Sequence, residues 1–283
     1  MFLRPLPKEY YHSEQENSDA QLKITYLGTA GFIIEGNEHT LVMDPYISRP
    51  GVLKTLFTRL QTDTKLVDQV VPKADDVLIG HSHFDHILDA PHICHRTGAR
   101  LIGSPSTCNV GRAAGLPEEQ LVETLGRKDI TSGPAVVRGL PSLHGKVYGR
   151  IPLPGEITEP PSWPPRYRAL RCGQVLNWHI KLAGMQIVHI DTADFIEEEF
   201  EGLQADIVCL CAVGRQSRPN YLEIVVEKFQ PKYIIPCHWD WFFSPYKEIP
   251  KCLPGVDLPG FHKEIKEVGV TPIILPFDGV FSL

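Results

Sequence analysis

The tightest constraint on this chain is a run of six residues, His81-Ser82-His83-Phe84-Asp85-His86, which follows the apolar stretch Val77-Leu78-Ile79-Gly80 and carries four metal-ligand side chains. An extended backbone repeats its direction every two residues, so His81 and His83 can face one cation together while Asp85 and His86 turn toward a second. A solvated histidine-rich turn would be spelled the same way, and further donors at other strand ends must decide. Three are present. His144 lies in Leu140-Pro141-Ser142-Leu143-His144-Gly145, beyond the strand-like Ala135-Val136-Val137, and can complete a histidine trio. Asp191 follows Gln186-Ile187-Val188-His189-Ile190, where a carboxylate can bridge two cations with its two oxygens. His238 ends the run Tyr233-Ile234-Ile235-Pro236-Cys237 and can join Asp85 and His86.

With these residues in place, the chain resembles the metallo-β-lactamase superfamily of metal-dependent hydrolases: H-x-H-x-D-H at His81 to His86, then His144, Asp191 and His238 at wide spacing. Within it, Ile24 to Glu35 and Leu41-Val42-Met43-Asp44-Pro45 are similar to the opening hairpin of the ascorbate-6-phosphate lactonase-like branch. The resemblance runs from about Gln21 to the C-terminus. It implies a four-layer αββα sandwich with two divalent metal ions at one edge between the sheets, whereas periodicity alone yields only mixed α/β. Histidine-rich ligation favours Zn2+, with Mn2+ and Fe2+ as alternatives. The implied nucleophile is a hydroxide bridging the ions, since coordination can lower the pKa of bound water to about 7. Asp85 is the expected catalytic residue, a ligand whose free oxygen orients the nucleophile and carries its proton to the leaving group. Asp44, before Pro45, either braces a ligand histidine or merely starts a turn.

Departures from neighbouring families narrow the chemistry. Flavodiiron oxidoreductases of this fold carry Glu at the position of His83, which points away from redox chemistry, and true β-lactamases generally lack the bridging Asp found here as Asp191. Transfer-RNA nucleases share the ligands but need a basic surface, and this chain has 34 acidic against 28 basic residues. The expected substrate is therefore a small molecule carrying an ester, lactone or phosphodiester bond, with an anionic group as one option, and not a nucleic acid. A catalytically idle binding or regulatory module is the competing reading; a complete ligand set speaks against it.

A chain of 283 residues with 42% hydrophobic content can bury one large core. We expect a mobile tail over 1–20 and one domain over 21–283. No apolar run approaches the ~20 residues of a membrane span, and no signal-peptide core follows Met1, so the expected location is cytoplasmic. Seven cysteines without a C-x-x-C pair agree with a reduced setting, and Cys209 and Cys211 alternate as buried strand residues.

Strands are predicted at 22–27, 31–35, 39–44, 77–79, 100–103, 175–190 (a hairpin through Ala183-Gly184), 207–211 and 233–235, and helices at 52–60, 90–96 (with Asp89 as N-cap), 106–114, 221–229 and 261–268. The proline-rich stretch 151–165 can form neither helix nor central strand. Substrate wall, homo-oligomer contact and passive loop all remain open for it. Lys146, Tyr148, Arg150, Arg215 and Arg218 are placed to receive an anion or to sit as solvated charges, and Trp239, Trp241, Phe242 and Phe243 to wall a pocket or pack in the core. His92, His95, His179, His189 and His262 read as structural or surface residues.

Overall fold

Two sheets are built on the same plan. The computed structural model describes residues 3–13, 20–147 and 149–283. Its first sheet opens with the antiparallel meander β1 (Leu22–Gly28), β2 (Gly31–Gly36) and β3 (His39–Met43), then continues parallel through β4 (Asp76–Leu78), β5 (Arg100–Gly103) and β6 (Leu121–Glu123). The second opens with antiparallel β7 (Asp129–Ser132), β8 (Ala135–Ser142), β9 (Val175–Leu182) and β10 (Met185–Ile190), then runs parallel through β11 (Ile207–Cys211), β12 (Tyr233–Cys237) and β13 (Thr271–Pro272). The last strand, β14 (Val280–Ser282), returns to the outer edge of the first sheet beside β1.

Side-chain alternation explains the layers. Leu41, Met43, Leu78 and Ile102 point into a core shared with Val137, Trp178, Ile187 and Leu210 of the opposite sheet. Their neighbours Val42, Val77 and Leu101 point the other way, onto Val67 and Ile93 of the helices α2 (Thr64–Val70) and α4 (Ala90–Thr97). This is the period-two signature of a sheet packed on both faces. The remaining helices are α1 (Val52–Phe57), α3 (Phe84–Ile87), α5 (Pro105–Ala113), α6 (Tyr221–Phe229) and α7 (Leu258–Glu267), the last two burying Val225, Phe229, Phe261 and Ile265. The β11 sequence Ile-Val-Cys-Leu-Cys is buried throughout, as a parallel strand covered on both sides requires. The architecture is the expected αββα sandwich.

Several expectations need correction. Residues 3–13 are not a free tail: Leu6 is buried, Lys8–Tyr10 form a 3-10 turn, His12 N–H donates to the Ile274 carbonyl at 2.8 Å, and Tyr10 meets the His262 ring edge-on. The aromatic side chains of Tyr10 and Tyr11 supply the anchoring. Residues 1–2 and 14–19, and with them the expected mobility of Glu14 to Asp19, lie outside the described residues. Asp89 does not cap α4. It is fully buried and instead accepts from the Ile47 and Ser48 backbone N–H groups and the Ser48 hydroxyl, so its charge holds a loop. The predicted helix over 52–60 ends at Phe57, and α2, β6, β7 and β14 are additional elements. All seven cysteines are unpaired. Among the described residues no helix is long and apolar enough to cross a membrane.

The proline-rich stretch 151–165 has neither helix nor strand but is tied down: Asn109 donates to the Ile157 carbonyl, Ile157 is buried, and Leu60 N–H donates to the Pro165 carbonyl.

Candidate metal centre

Both sheets deliver side chains to one edge of the sandwich. Gly80-His81 leaves β4, His144 leaves β8, Asp191 leaves β10 and His238 leaves β12, while Asp85 and His86 sit in the first turn of α3. Three groups of donors result: His81 with His83 and His144; His81 with His86 and Asp191; and Asp85 with His86 and His238. Within each, the donor atoms lie within 4.8 Å of one another. All seven predicted residues thus converge. The contact between chain segments is close enough that a Cβ on Gly80 would collide with the Asp191 carboxylate, so any side chain here would have to push Asp191 aside.

Hydrogen bonds around the rims fix which ring nitrogens remain available. His83 Nε2 faces the Pro152 carbonyl at 2.9 Å, and His144 Nδ1 faces the Gly145 carbonyl at 2.6 Å. A carbonyl oxygen can only accept, so those nitrogens carry the protons, leaving the lone pairs on His83 Nδ1 and His144 Nε2. His81 is then frustrated. Its Nε2 faces His83 Nδ1 at 2.8 Å and its Nδ1 faces Asp191 Oδ2 at 2.6 Å, but a neutral imidazole has one proton for two acceptors. A cation held by these three histidines would resolve this, because it would accept the lone pairs of His83 Nδ1 and His81 Nε2 and leave His81 Nδ1–H for Asp191.

The electrostatics fit the same group. Burial, reinforced by the other imidazoles, pushes His81 and His144 down to about 3 and His83 down to about 4, and drives His86 down as well. The rings are therefore neutral donors at physiological pH. Burial would raise the Asp85 carboxyl, but His238, followed by His83 and His81, outweighs it and carries it to about 2. Burial pushes Asp44 and Asp191 the other way, upward, because each is wholly removed from water and Asp191 charges against Asp44. Asp191 Oδ1 and His238 Nδ1 are buried with no hydrogen-bond partner among the described residues. Two buried acids, an orphaned carboxylate oxygen and a set of neutral imidazoles are the environment in which divalent cations are bound.

Asp44 is a brace, which decides between its two readings: Oδ2 lies 3.0 Å from His86 Nδ1 and Oδ1 accepts from Gly80 N–H at 2.7 Å. The histidines set aside as structural make structural contacts, such as His189 Nε2 with the Ala30 carbonyl at 2.9 Å and His92 with Asp68 at 2.9 Å. The sequence reading missed Arg49 and Asp240. Both are fully buried and paired, and Asp240 Oδ1 also accepts from the Tyr26 hydroxyl and the Thr29 N–H. Arg49 and Tyr26, with Thr29, overcome the upward pull of burial and hold the Asp240 carboxyl below its ordinary range. The Thr29 carbonyl in turn accepts from His238 N–H, so this network fixes the backbone that presents His238 in a left-handed conformation (φ 52°). The Asp two residues beyond His238 was the only local hint.

A cavity of about 790 Å3 opens over the cluster, within the range of small-molecule pockets. Trp241, Phe242, Pro152 and Leu153 line it, which makes the start of the proline-rich stretch part of its wall, and Lys146 also reaches it. Trp239 is core, stacked near Tyr26. Arg215 is bound to Glu264 and Arg218 to Asp194 and Glu197, so neither is a free anion receiver. Arg150 is exposed, and Tyr148 lies outside the described residues.

Comparisons with known proteins agree with this arrangement. A "UPF0173 metal-dependent hydrolase" of Anaeromyxobacter dehalogenans is 27% identical over 231 residues, covering 78% of this chain and 75% of the relative. One of the same description from Pyrococcus furiosus is 29% identical over 226 residues, covering 77% and 85%. Igni18, a metallo hydrolase from Ignicoccus hospitalis, shares the fold with a TM-score of 0.65 at 19% identity, covering 93% of this chain and 98% of that one. Residues 23–238 match the family model described as the beta-lactamase superfamily domain, a span running from the first strand to the last metal-site histidine, and the chain belongs to that superfamily in its metallo form.

Proposed function

We propose that this chain is a dinuclear metal-dependent hydrolase that cleaves a small-molecule ester, lactone or phosphodiester. The observation that carries the reading is the pair of donor groups, His81–His83–His144 and Asp85–His86–His238, with Asp191 between them. A histidine-rich set of this kind suits Zn2+, and Mn2+ or Fe2+ are the alternatives the carboxylates accept. Bound there, the cations supply Lewis acidity and bring the pKa of water down to about 7.

The remaining steps belong to the chain's own residues. The carbonyls of Pro152 and Gly145 and the carboxylate of Asp44 hold His83, His144 and His86 in the tautomers that present lone pairs inward. Asp85, ionised at neutral pH, accepts a hydrogen bond from the attacking water, takes its proton and returns it to the leaving group. The aromatic wall gives the reacting centre an apolar flank on which the uncharged part of a substrate can rest. The resemblance of the opening hairpin to the ascorbate-6-phosphate lactonase-like branch supports a lactone among the substrates, and seven unpaired cysteines agree with a reduced, cytoplasmic setting.

Elemental analysis of wild type and Asp191→Ala, each with a turnover screen on bis-p-nitrophenyl phosphate and simple lactones, tests the reading. Near two ions per wild-type chain with metal-dependent turnover, both lost in the variant, is the expected outcome. Fewer than one ion after reconstitution, with no turnover, replaces it with an idle binding module.

A further inference from the structure

We infer that the substrate is a carboxylic ester or lactone with an apolar acyl chain, and not a phosphodiester; this rests on the hydrolase reading above. The wall nearest the donors is aromatic. Phe84 directly precedes Asp85, Trp241 and Phe242 follow His238, and all three are only half-buried while lining the cavity. The Phe84 and Phe242 rings lie 6.3 Å apart, and Phe242 meets the His238 ring edge-on at 5.8 Å, so an apolar group seated on them is in reach of the reacting centre. Leu153, Val213 and Leu253 continue the apolar lining outward.

Positive charge is scarce in the same space. Among the described lining residues, Lys146 is the one lysine or arginine, and it is exposed to solvent. The two arginines closest in sequence to the lining residues Gln216 and Ser217 are consumed elsewhere: Arg215 pairs with Glu264 and lies 4.4 Å over Phe261, and Arg218 pairs with Asp194 and Glu197 and lies 3.9 Å over Phe195. A phosphodiester carries a full charge into the site and gains more in the transition state; cations at the donors would meet the charge at phosphorus, but among the described lining residues only Lys146 could help them, while the greater part of the wall is apolar and suits an uncharged acyl chain. A neutral ester needs none before reaction. Water adds its oxygen to the acyl carbon, the acyl–oxygen bond breaks, and a water proton goes to the departing alkoxide, giving a carboxylic acid and an alcohol.

The test is calorimetric binding of acetate, butanoate, hexanoate and octanoate to the metal-loaded protein, beside turnover of p-nitrophenyl esters of the same acids and of bis-p-nitrophenyl phosphate. Affinity should rise roughly two- to four-fold per methylene, with a negative heat-capacity change. Phe242→Ala should flatten that slope, and Leu53→Ala, on the exposed face of α1, should keep it. Affinity independent of chain length, or phosphodiester turnover exceeding that of every ester, overturns the inference and leaves the hydrolase reading standing. Absence of turnover on all substrates with metal bound removes the hydrolase reading instead, while the carboxylate series still decides whether the cavity takes an apolar chain.

Discussion

The two halves of the proposed metal centre are braced by different means. His83 and His144 are oriented by backbone carbonyls, those of Pro152 and Gly145. His86 and His238 are oriented from inside the sandwich: His86 by the buried Asp44 carboxylate, and His238 through Thr29 by the buried Arg49–Asp240 pair. A carbonyl acceptor survives substitution of its residue, whereas a carboxylate or guanidinium does not. In the histidine-only half, His83 and His144 should therefore tolerate mutation of their supports, whereas His81 leans on the shared Asp191, and the carboxylate-containing half should couple its metal to the stability of the whole fold.

Arg49→Ala is the strongest attempt to break this asymmetry. It leaves Asp240 charged and buried with only the Tyr26 hydroxyl and Thr29 N–H for company. Losing one partner of a buried pair costs about 3–5 kcal/mol. Urea denaturation of the chelator-treated protein should show that loss without any metal present, since the pair stabilises the fold first and the site second. An unchanged midpoint would detach Arg49 from the architecture of His238.

Gly80→Ala comes next, and it strikes the residue the halves share. The new methyl would have to displace Asp191, whose Oδ2 also lies 2.6 Å from His81 Nδ1. Overpacking of this kind costs roughly 1–3 kcal/mol. Elemental analysis should show both ions depleted together; loss of only one would mean that Asp191 serves a single half.

How much of this was readable in advance follows the same division. The seven residues that converge were nameable in advance because each stands at the end of an apolar run or in one six-residue motif, and their combination, not any single local pattern, singled them out. The supports were not. Arg49 and Asp240 are 191 positions apart and meet only when the two sheets close, and no window of sequence contains their relationship. Asp44 was half-legible, since a turn before Pro45 and a brace for a histidine look alike until His86 arrives. Asp89 failed for the opposite reason: its place before a helix suggested a cap, but burial gave the loop at Ile47–Ser48 the first claim on its oxygens. Among the strands, β6 and β14 are three-residue edge strands, too short to show a period.

Asp44→Asn sharpens the comparison at lower cost. The amide keeps an oxygen to accept from Gly80 N–H or His86 but loses the charge that balances a cation beside His86. Removing such a support typically weakens metal binding 10–100-fold, about 1.4–2.7 kcal/mol. Competition with a chromophoric chelator should show one ion released early and the other held as in wild type. Equal weakening of both would mean that the halves are not independently braced.

Pro152→Ala should do least, and that is its value. The residue contributes its carbonyl to His83 and part of the cavity wall, and alanine supplies the same carbonyl. The substitution restores backbone freedom to the unfolded chain, an effect of about 0.4–1 kcal/mol on stability. Metal affinity should stay within roughly two-fold of wild type, because the acceptor that fixes the His83 tautomer is unchanged. A large loss of one ion in this variant, comparable to that in Asp44→Asn, would show that the loop holds His83 through its rigidity and not through its carbonyl, and the contrast between backbone-braced and charge-braced halves would give way to one between a stiff loop and a buried core.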